Sequence, residues 1–318
     1  MSGEQRPLGS GFGPTSTATE VLAGIDLSGC LALVTGGYSG IGLEAVRALA
    51  AAGAGVLVPA RRPGQARTVL AGIPGVEIGE LDLADQSAVA SYAATVLETG
   101  RHLDIVINNA AVMACPETRV GPGWELQLAT NHLGHFALVN RLWPALTGGS
   151  RVVSVSSSGH HHSGIRWDDP WFETGYDKWL AYGQSKTANI LFALHLDELG
   201  RDEGIRAFSL HPGAILTSLG RHLQPEDMGA ILDLDEHGQA VLPEFRSPEA
   251  GAATAVWAAT SPLLEGRGGL YLEDCDVAAP ASEDPALTGT GVGVRAWALD
   301  PEQAARLWRW SAEVTRQG

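Results

Sequence analysis

Leu31-Ala32-Leu33-Val34-Thr35-Gly36-Gly37-Tyr38-Ser39-Gly40-Ile41-Gly42 is the stretch whose reading decides the fold. Leu31 to Thr35 is a short continuous apolar run, the pattern of a strand buried on both faces. Glycines follow, and Leu43 to Ala52 then reads as helix. Strand, glycine-rich turn and helix in that order leave free N–H groups at a helix N-terminus, where a pyrophosphate binds. The same residues without a ligand make a tight βα turn. The spacing is G-x-x-x-G-x-G, and the candidate contacts are Gly36, Tyr38, Ser39, Gly40, Ile41 and Gly42.

Downstream, strands and helices keep alternating. Gly55 to Ala60 is a second apolar run ending at Arg61-Arg62. The end of a second strand in a dinucleotide fold meets the adenosine ribose. Arginine there suits a 2′-phosphate, whereas an acid suits a free hydroxyl. NADP(H) is therefore preferred over NAD(H). Val76 to Leu81 is a third strand closed by Asp82-Leu83, where Asp82 accepts from an adenine amine or caps the helix starting near Gln86. Leu103 to Ile107 is a fourth, followed by Asn108-Asn109-Ala110-Ala111, small enough for a cofactor to lie along Asn109, Ala110 and Ala111. Trp124 to Leu146 is mostly helical, contains Asn131-His132 and ends near Pro144. Arg151 to Val155 runs into Ser156-Ser157-Ser158, and Arg206 to Leu210 into His211-Pro212-Gly213-Ala214-Ile215-Leu216-Thr217. That last turn wraps a nicotinamide end through Pro212, Gly213, Ile215 and the Thr217 hydroxyl. Gly269 to Leu272 makes about seven strands. Such alternation predicts an α/β protein, a Rossmann-like doubly wound parallel sheet with its groove at the strands' C-terminal edge. Gly36, Arg61, Asn109 and Ser157 all fall on that edge.

A helix predicted over Leu180 to Leu199 carries Tyr182-Gly183-Gln184-Ser185-Lys186. Tyrosine and lysine four apart share a face. A phenol near pKa ~10 is a poor acid or base at neutral pH, and an adjacent ammonium lowers that value. Between the fifth strand and this helix lies His160-His161-His162 with Trp167, Asp168, Asp169, Trp171 and Phe172, read as a loop bordering the pocket. Consecutive histidines point in different directions, so no metal site is assigned. Residues 218–245 suit a substrate lid within a domain spanning 27–275. Residues 1–26 read as a mobile tail and short helix, with capping-box spacing at Thr17 to Glu20, and 276–318 as a C-terminal extension.

Composition narrows the partners. The 318 residues carry a net charge of −15, which attracts neither nucleic acid nor an anionic membrane. No apolar run reaches membrane-spanning length and no signal peptide opens the chain. Three well-separated cysteines, Cys30, Cys115 and Cys275, suit a reducing cytoplasm.

With these motifs assembled, the sequence resembles the short-chain dehydrogenase/reductase family from about Leu27 to Leu272. Within it the chain is similar to the retinol-dehydrogenase-like and WW-domain-oxidoreductase-like branch, through Asn131-His132-Leu133-Gly134-His135-Phe136 and Ser185-Lys186-x-Ala188-Asn189-Ile190-Leu191. The resemblance implies that Tyr182 is the acid/base, that Lys186 lowers its pKa and binds the nicotinamide ribose, and that Ser157, with Ser156 as fallback, binds the substrate oxygen. It implies that Asn131 holds a water linking Lys186 to solvent, and that copies associate as dimers or tetramers through the helices around Asn131 and Tyr182. Ala111 and Ser154 stand where the family usually has Gly and Asn. The activity implied is NADP(H)-dependent interconversion of a small-molecule carbonyl and its alcohol. An epimerase, dehydratase or rearrangement catalyst on the same fold, and a non-catalytic NADP sensor, are the alternatives.

Overall fold

The computed structural model describes residues 4–224, 226, 227, 233, 234, 240, 241, 245–282 and 291–317. Much of the expected lid at 218–245 therefore lies outside the described residues. Strands β1 (Leu31–Val34), β2 (Gly55–Ala60), β3 (Val76–Glu80), β4 (Ile105–Asn108), β5 (Arg151–Val155), β6 (Arg206–His211), β7 (Leu270–Glu273) and β8 (Asp276–Val277) form one eight-stranded sheet. Its order is β8-β7-β6-β5-β4-β1-β2-β3. Every pairing is parallel except the β7–β8 hairpin, which adds an antiparallel edge absent from the seven-strand expectation. Chain order reverses on either side of β1, and the crevice at that switch point is where such sheets bind ligands.

Helices cover both faces because the central strands are apolar on both. On one face, α2 (Gly40–Ala51) and α7 (Pro248–Thr260) bury Val46, Leu49, Val256 and Trp257 against the sheet. On the other, α4 (Gln86–Glu98), α5 (Gly134–Leu146) and α6 (Lys178–Gly200) bury Val89, Leu142 and Phe192. Two shorter helices are α1 (Ala18–Val21), opened by the expected Thr17–Glu20 capping box, and α3 (Pro63–Val69). Asp82 does not cap α4. Asp85 does, accepting the N–H groups of Ser87 and Ala88, while Asp82 accepts that of Ala84.

Both ends of the chain depart from their sequence reading. The segment expected to be a mobile tail is pinned to the sheet edge. Nε2 of Gln5 donates to the carbonyls of Tyr271 and Ala278 at 2.6 and 2.7 Å, and the Asp276 carboxylate accepts from the N–H groups of Leu8, Gly9 and Ser10. An unpaired edge offers backbone groups that this segment satisfies. At the other end, α8 (Pro301–Gln317) lies on α5 and α6. The Trp308 ring stacks on Phe192 at 5.7 Å and meets Phe136 edge-on at 4.9 Å. The Ser311 hydroxyl lies 2.8 Å from Nε2 of His132. Self-association through the helices around Asn131 and Tyr182 thus meets a face already covered by the chain's own α8. Trp167 and Trp171 belong to the same packing. Trp167 donates to Gln303 at 2.7 Å, and Trp171 lies 5.2 Å from Trp310, so these indoles face α8 and not the pocket. Among the described residues, no helix is long and apolar enough to cross a membrane.

Candidate active site

A cavity of about 980 Å³ runs along the C-terminal edge of the sheet. At one end the turn after β1 is shaped by close approach. Gly36 has φ +66°, and a Cβ there would sit 3.0 Å from the Ala110 Cα. At Gly42 a Cβ would stand 2.4 Å from Nδ2 of Asn109 and 2.5 Å from the Gly36 carbonyl. Asn109 is held in turn, Nδ2 donating to the Thr35 carbonyl at 2.9 Å. Ser39, which begins α2, makes no side-chain cap, so the first N–H groups of α2 remain open toward the cavity. Arg61 and Arg62 are exposed beyond β2 and enter no ion pair among the described residues. Asp82, Leu83, Ala110, Ala111, Pro212, Gly213, Ile215 and Thr217 line the same space, with Tyr38, Gly40 and Ile41. Of the sequence-predicted cofactor contacts, Gly42 alone lies behind the wall. Thr217 stands over Gly40, 3.2 Å from where its Cβ would be. Open amides at a helix N-terminus fit the pyrophosphate of a dinucleotide cofactor.

At the other end Tyr182, Lys186 and Ser157 meet. Helix α6 starts where Asp177 caps it, accepting the N–H groups of Trp179 and Leu180, and this sets which turn presents Tyr182. A Cβ at Gly159 would press 2.8 Å from the Tyr182 ring, so a residue without one lets the phenol lie against the β5 end. The Ser157 hydroxyl accepts the Gly159 N–H at 3.0 Å and lies beside the phenol, whose pKa it lowers. The buried Ser156 hydroxyl is committed to the Lys186 carbonyl, to which it donates at 2.8 Å, so of this pair Ser157 is the one free to meet a substrate oxygen. Nζ of Lys186 donates to the Val155 carbonyl at 2.9 Å and lies 5.5 Å from the Tyr182 ring centre.

Electrostatics here differ from the sequence expectation. Burial pushes the Tyr182 phenol up to about 12, and the Ser157 hydrogen bond only partly offsets it. Burial also pushes Lys186 down to about 7. In the protein alone desolvation outweighs the ammonium–phenolate attraction, because each charged form has lost its water.

Asn131 lies behind the cavity wall within a five-residue π-helical turn, Ala129–Leu133. Its Nδ2 donates to the Val112 carbonyl and the Ser185 hydroxyl, and its Oδ1 accepts the Val112 N–H, all at 2.9 Å. The side chain therefore braces the turn after β4 against α6. Sequence reasoning also missed Thr35 and His135. The Thr35 hydroxyl accepts the N–H groups of Asn109 and Ala110 and lies 2.8 Å from Nε2 of His135. With both lone pairs used, its proton goes to Nε2, and Nδ1–H of His135 donates to the Asn131 carbonyl at 3.0 Å. Burial holds this imidazole neutral, with its pKa pushed down to about 4. The Asn108 side chain makes a 3.4 Å contact to the Ser154 hydroxyl, and its Oδ1 is buried without a partner among the described residues.

Comparison with known proteins places these features. The family model for short chain dehydrogenases matches residues 31–227. A Streptomyces lividans protein named a probable oxidoreductase is 45% identical over 304 residues, covering 92% of this chain and 100% of its own length. Mouse retinol dehydrogenase 11 is 35% identical, covering 80% of each chain. A solved Pseudomonas aeruginosa RhlG/NADP active-site complex superposes with TM-score 0.60 at 25% identity, over 78% of this chain and 95% of that one.

Proposed function

Because the chain belongs to the short chain dehydrogenase family, and so to the oxidoreductases built on this fold, we propose that it interconverts a ketone or aldehyde and its alcohol with NADP(H). The observation that carries this reading is the meeting of Tyr182, Ser157 and Lys186 at the end of a cavity whose opposite end presents α2 and Arg61-Arg62. The bound cofactor supplies the hydride. The protein positions and polarises.

In reduction, the Tyr182 O–H donates its proton to the carbonyl oxygen, and the Ser157 hydroxyl donates a hydrogen bond where negative charge develops. A phenol raised to about 12 is protonated at neutral pH and so begins in the donating form. Lys186 is close enough to stabilise the phenolate left behind, and the Val155 carbonyl aims its Nζ. Asn131, His135 and Thr35 hold the strand ends between which the nicotinamide half would lie. NADP(H) over NAD(H) is supported by the two free guanidiniums and the absence of an acid beside them. The NADP complex of the Pseudomonas relative is consistent with that choice.

The test is spectrophotometric, with NADPH and a panel of aldehydes and ketones. Loss of nicotinamide absorbance with wild type, falling by about 10²- to 10⁴-fold in Tyr182→Phe, is expected for removal of a general acid. Tyr182→Phe turning over as fast as wild type would refute the assignment.

A further inference from the structure

This inference rests on the carbonyl–alcohol reading and concerns the far wall of the same cavity. Residues alternate along β7. Leu270 and Leu272 join the core beneath α2 and α7, so Tyr271 and Glu273 face α6, the helix of Tyr182. Glu273 stands beside His211 of β6 in the parallel register, and both line the cavity with His161. One Glu273 oxygen accepts the Gly293 N–H at 3.0 Å, and the Gly293 carbonyl accepts from Nε2 of His161 at 3.0 Å. A single residue thus fixes both side chains. Gly293 itself is fixed: its φ is +78°, and a Cβ would stand 2.7 Å from the Ala279 carbonyl.

What these groups leave open defines a ligand. Burial keeps His161 neutral, and with its proton on Nε2 its Nδ1 is enclosed by protein, so His161 serves here by its bond to Gly293. Burial also keeps His211 neutral. Its Nδ1 accepts the Ser158 N–H at 3.2 Å, which leaves Nε2–H as a donor. The second Glu273 oxygen meets no protein donor among the described residues. One acceptor, on Glu273, and one donor, on His211, are therefore left at one wall of the cavity. Arg246 and Arg295 act on these histidines and disfavour a cation there, while burial raises the Glu273 carboxyl to about 7, so that an anion beside it is disfavoured as well. A neutral hydroxyl, which both donates and accepts, matches the set. The strands β5, β6 and β7 are consecutive, so Ser157 and Glu273 are two strand spacings apart, about 10 Å. Trp179, Leu216 and Val292 give the same cavity an apolar wall.

We propose that Glu273, held by Gly293, and His211 form a subsite for an uncharged hydroxyl about 10 Å from the reacting carbonyl. The substrate class is then an aldehyde or ketone with an apolar body and a distant hydroxyl. Two measurements test it. The first is kcat/KM with NADPH for ω-hydroxyoctanal against octanal. The second is the calorimetric affinity of the NADP-loaded enzyme for the corresponding α,ω-diol against octanol. Wild type is expected to favour the hydroxylated member by about tenfold or more in both, as one buried hydrogen bond to an ionisable group supplies. Glu273→Gln narrows that ratio and Glu273→Leu inverts it. Equal values across the pair in wild type, or a ratio unmoved in both variants, overturn the subsite. An ω-amino alcohol bound more tightly than the diol overturns the neutral hydroxyl. Turnover of neither aldehyde, with the diol still preferred in binding, refutes the carbonyl–alcohol reading and upholds the subsite.

Discussion

Lys186 should destabilise the very fold that it serves. Its side chain is buried, and desolvation lowers its pKa from 10.5 to about 7. Between those values the folded chain binds fewer protons than the unfolded chain, so stability rises with pH across that window. Below about 7 the whole penalty is present. A tenfold change in proton affinity is worth about 1.36 kcal/mol, so the fall from 10.5 to about 7 makes the penalty roughly 4–5 kcal/mol as an upper bound. Lys186→Met keeps much of the apolar volume and removes the charge, at the loss of one hydrogen bond to the Val155 carbonyl. That bond is worth about 1.5–3 kcal/mol at most, which offsets part of the gain. The variant should therefore be about 1–3 kcal/mol more stable than wild type at pH 6 and inactive toward carbonyls. Urea unfolding of both proteins at pH 6, 8 and 9.5, without cofactor, reads the difference directly. Other titrating groups cancel in the comparison. The gap must shrink as pH rises through the window from 7 toward 10.5. A gap independent of pH, or a wild type that is the more stable at pH 6, would refute the claim that burial dominates at this site.

Arg61→Glu combined with Arg62→Ala should move the kcat/KM preference from NADPH toward NADH by about 10- to 100-fold, the worth of one or two charge-assisted hydrogen bonds; parallel assays with both cofactors decide it. Gly42→Ala places a methyl 2.4 Å from the pinned Asn109 amide, and should cost about 1–3 kcal/mol in unfolding and weaken NADPH binding by titration. With α8 seated on α5 and α6, light scattering should return the mass of one chain, 33.3 kDa. Trp308→Ala should lower stability by about 3 kcal/mol and promote association through the uncovered face. A tetramer built by the intact chain would contradict the covering role of α8.

How much of this was legible in the sequence depends on where the determining interactions lie. Leu31–Val34 and Arg151–Val155 could be read because strands buried on both faces must be apolar throughout, and that constraint is local. Gly36, Arg61, Asn109 and Ser157 could be placed on one edge because a parallel sheet puts every strand's C-terminal end there. Asn131 could be singled out as a polar residue in an apolar helix, yet its partners, Val112 and Ser185, are 19 and 54 residues away. No local pattern reveals which of several nearby groups satisfies an amide. The tryptophans misled for the same reason. Trp167 and Trp171 precede the Tyr182 helix in sequence, but their partners, Gln303 and Trp310, come from α8. An apolar stripe announces that it is covered, without saying by what.

Glu273 shows where a signal existed and was passed over. Leu270-Tyr271-Leu272-Glu273 alternates with the period of a strand, and the acid falls at the C-terminal end on the phase of Tyr271. A carboxyl at that edge of a doubly wound sheet lies in line with the ligand groove, whatever its other partners. The element that turns it into a subsite is far away, since Gly293 must return to the sheet edge to clamp both Glu273 and His161. Position along the strand was readable from four residues, whereas the clamp needed the fold. The clamp also gives the C-terminal extension two tasks. Gly291 and Val292 line the cavity while α8 lies on α5 and α6, so one stretch of chain touches both the cavity wall and the outer helical face. Exchange of residues 276–318 with those of a relative should therefore change substrate preference and oligomeric mass together, whereas a change in one without the other would separate the two roles.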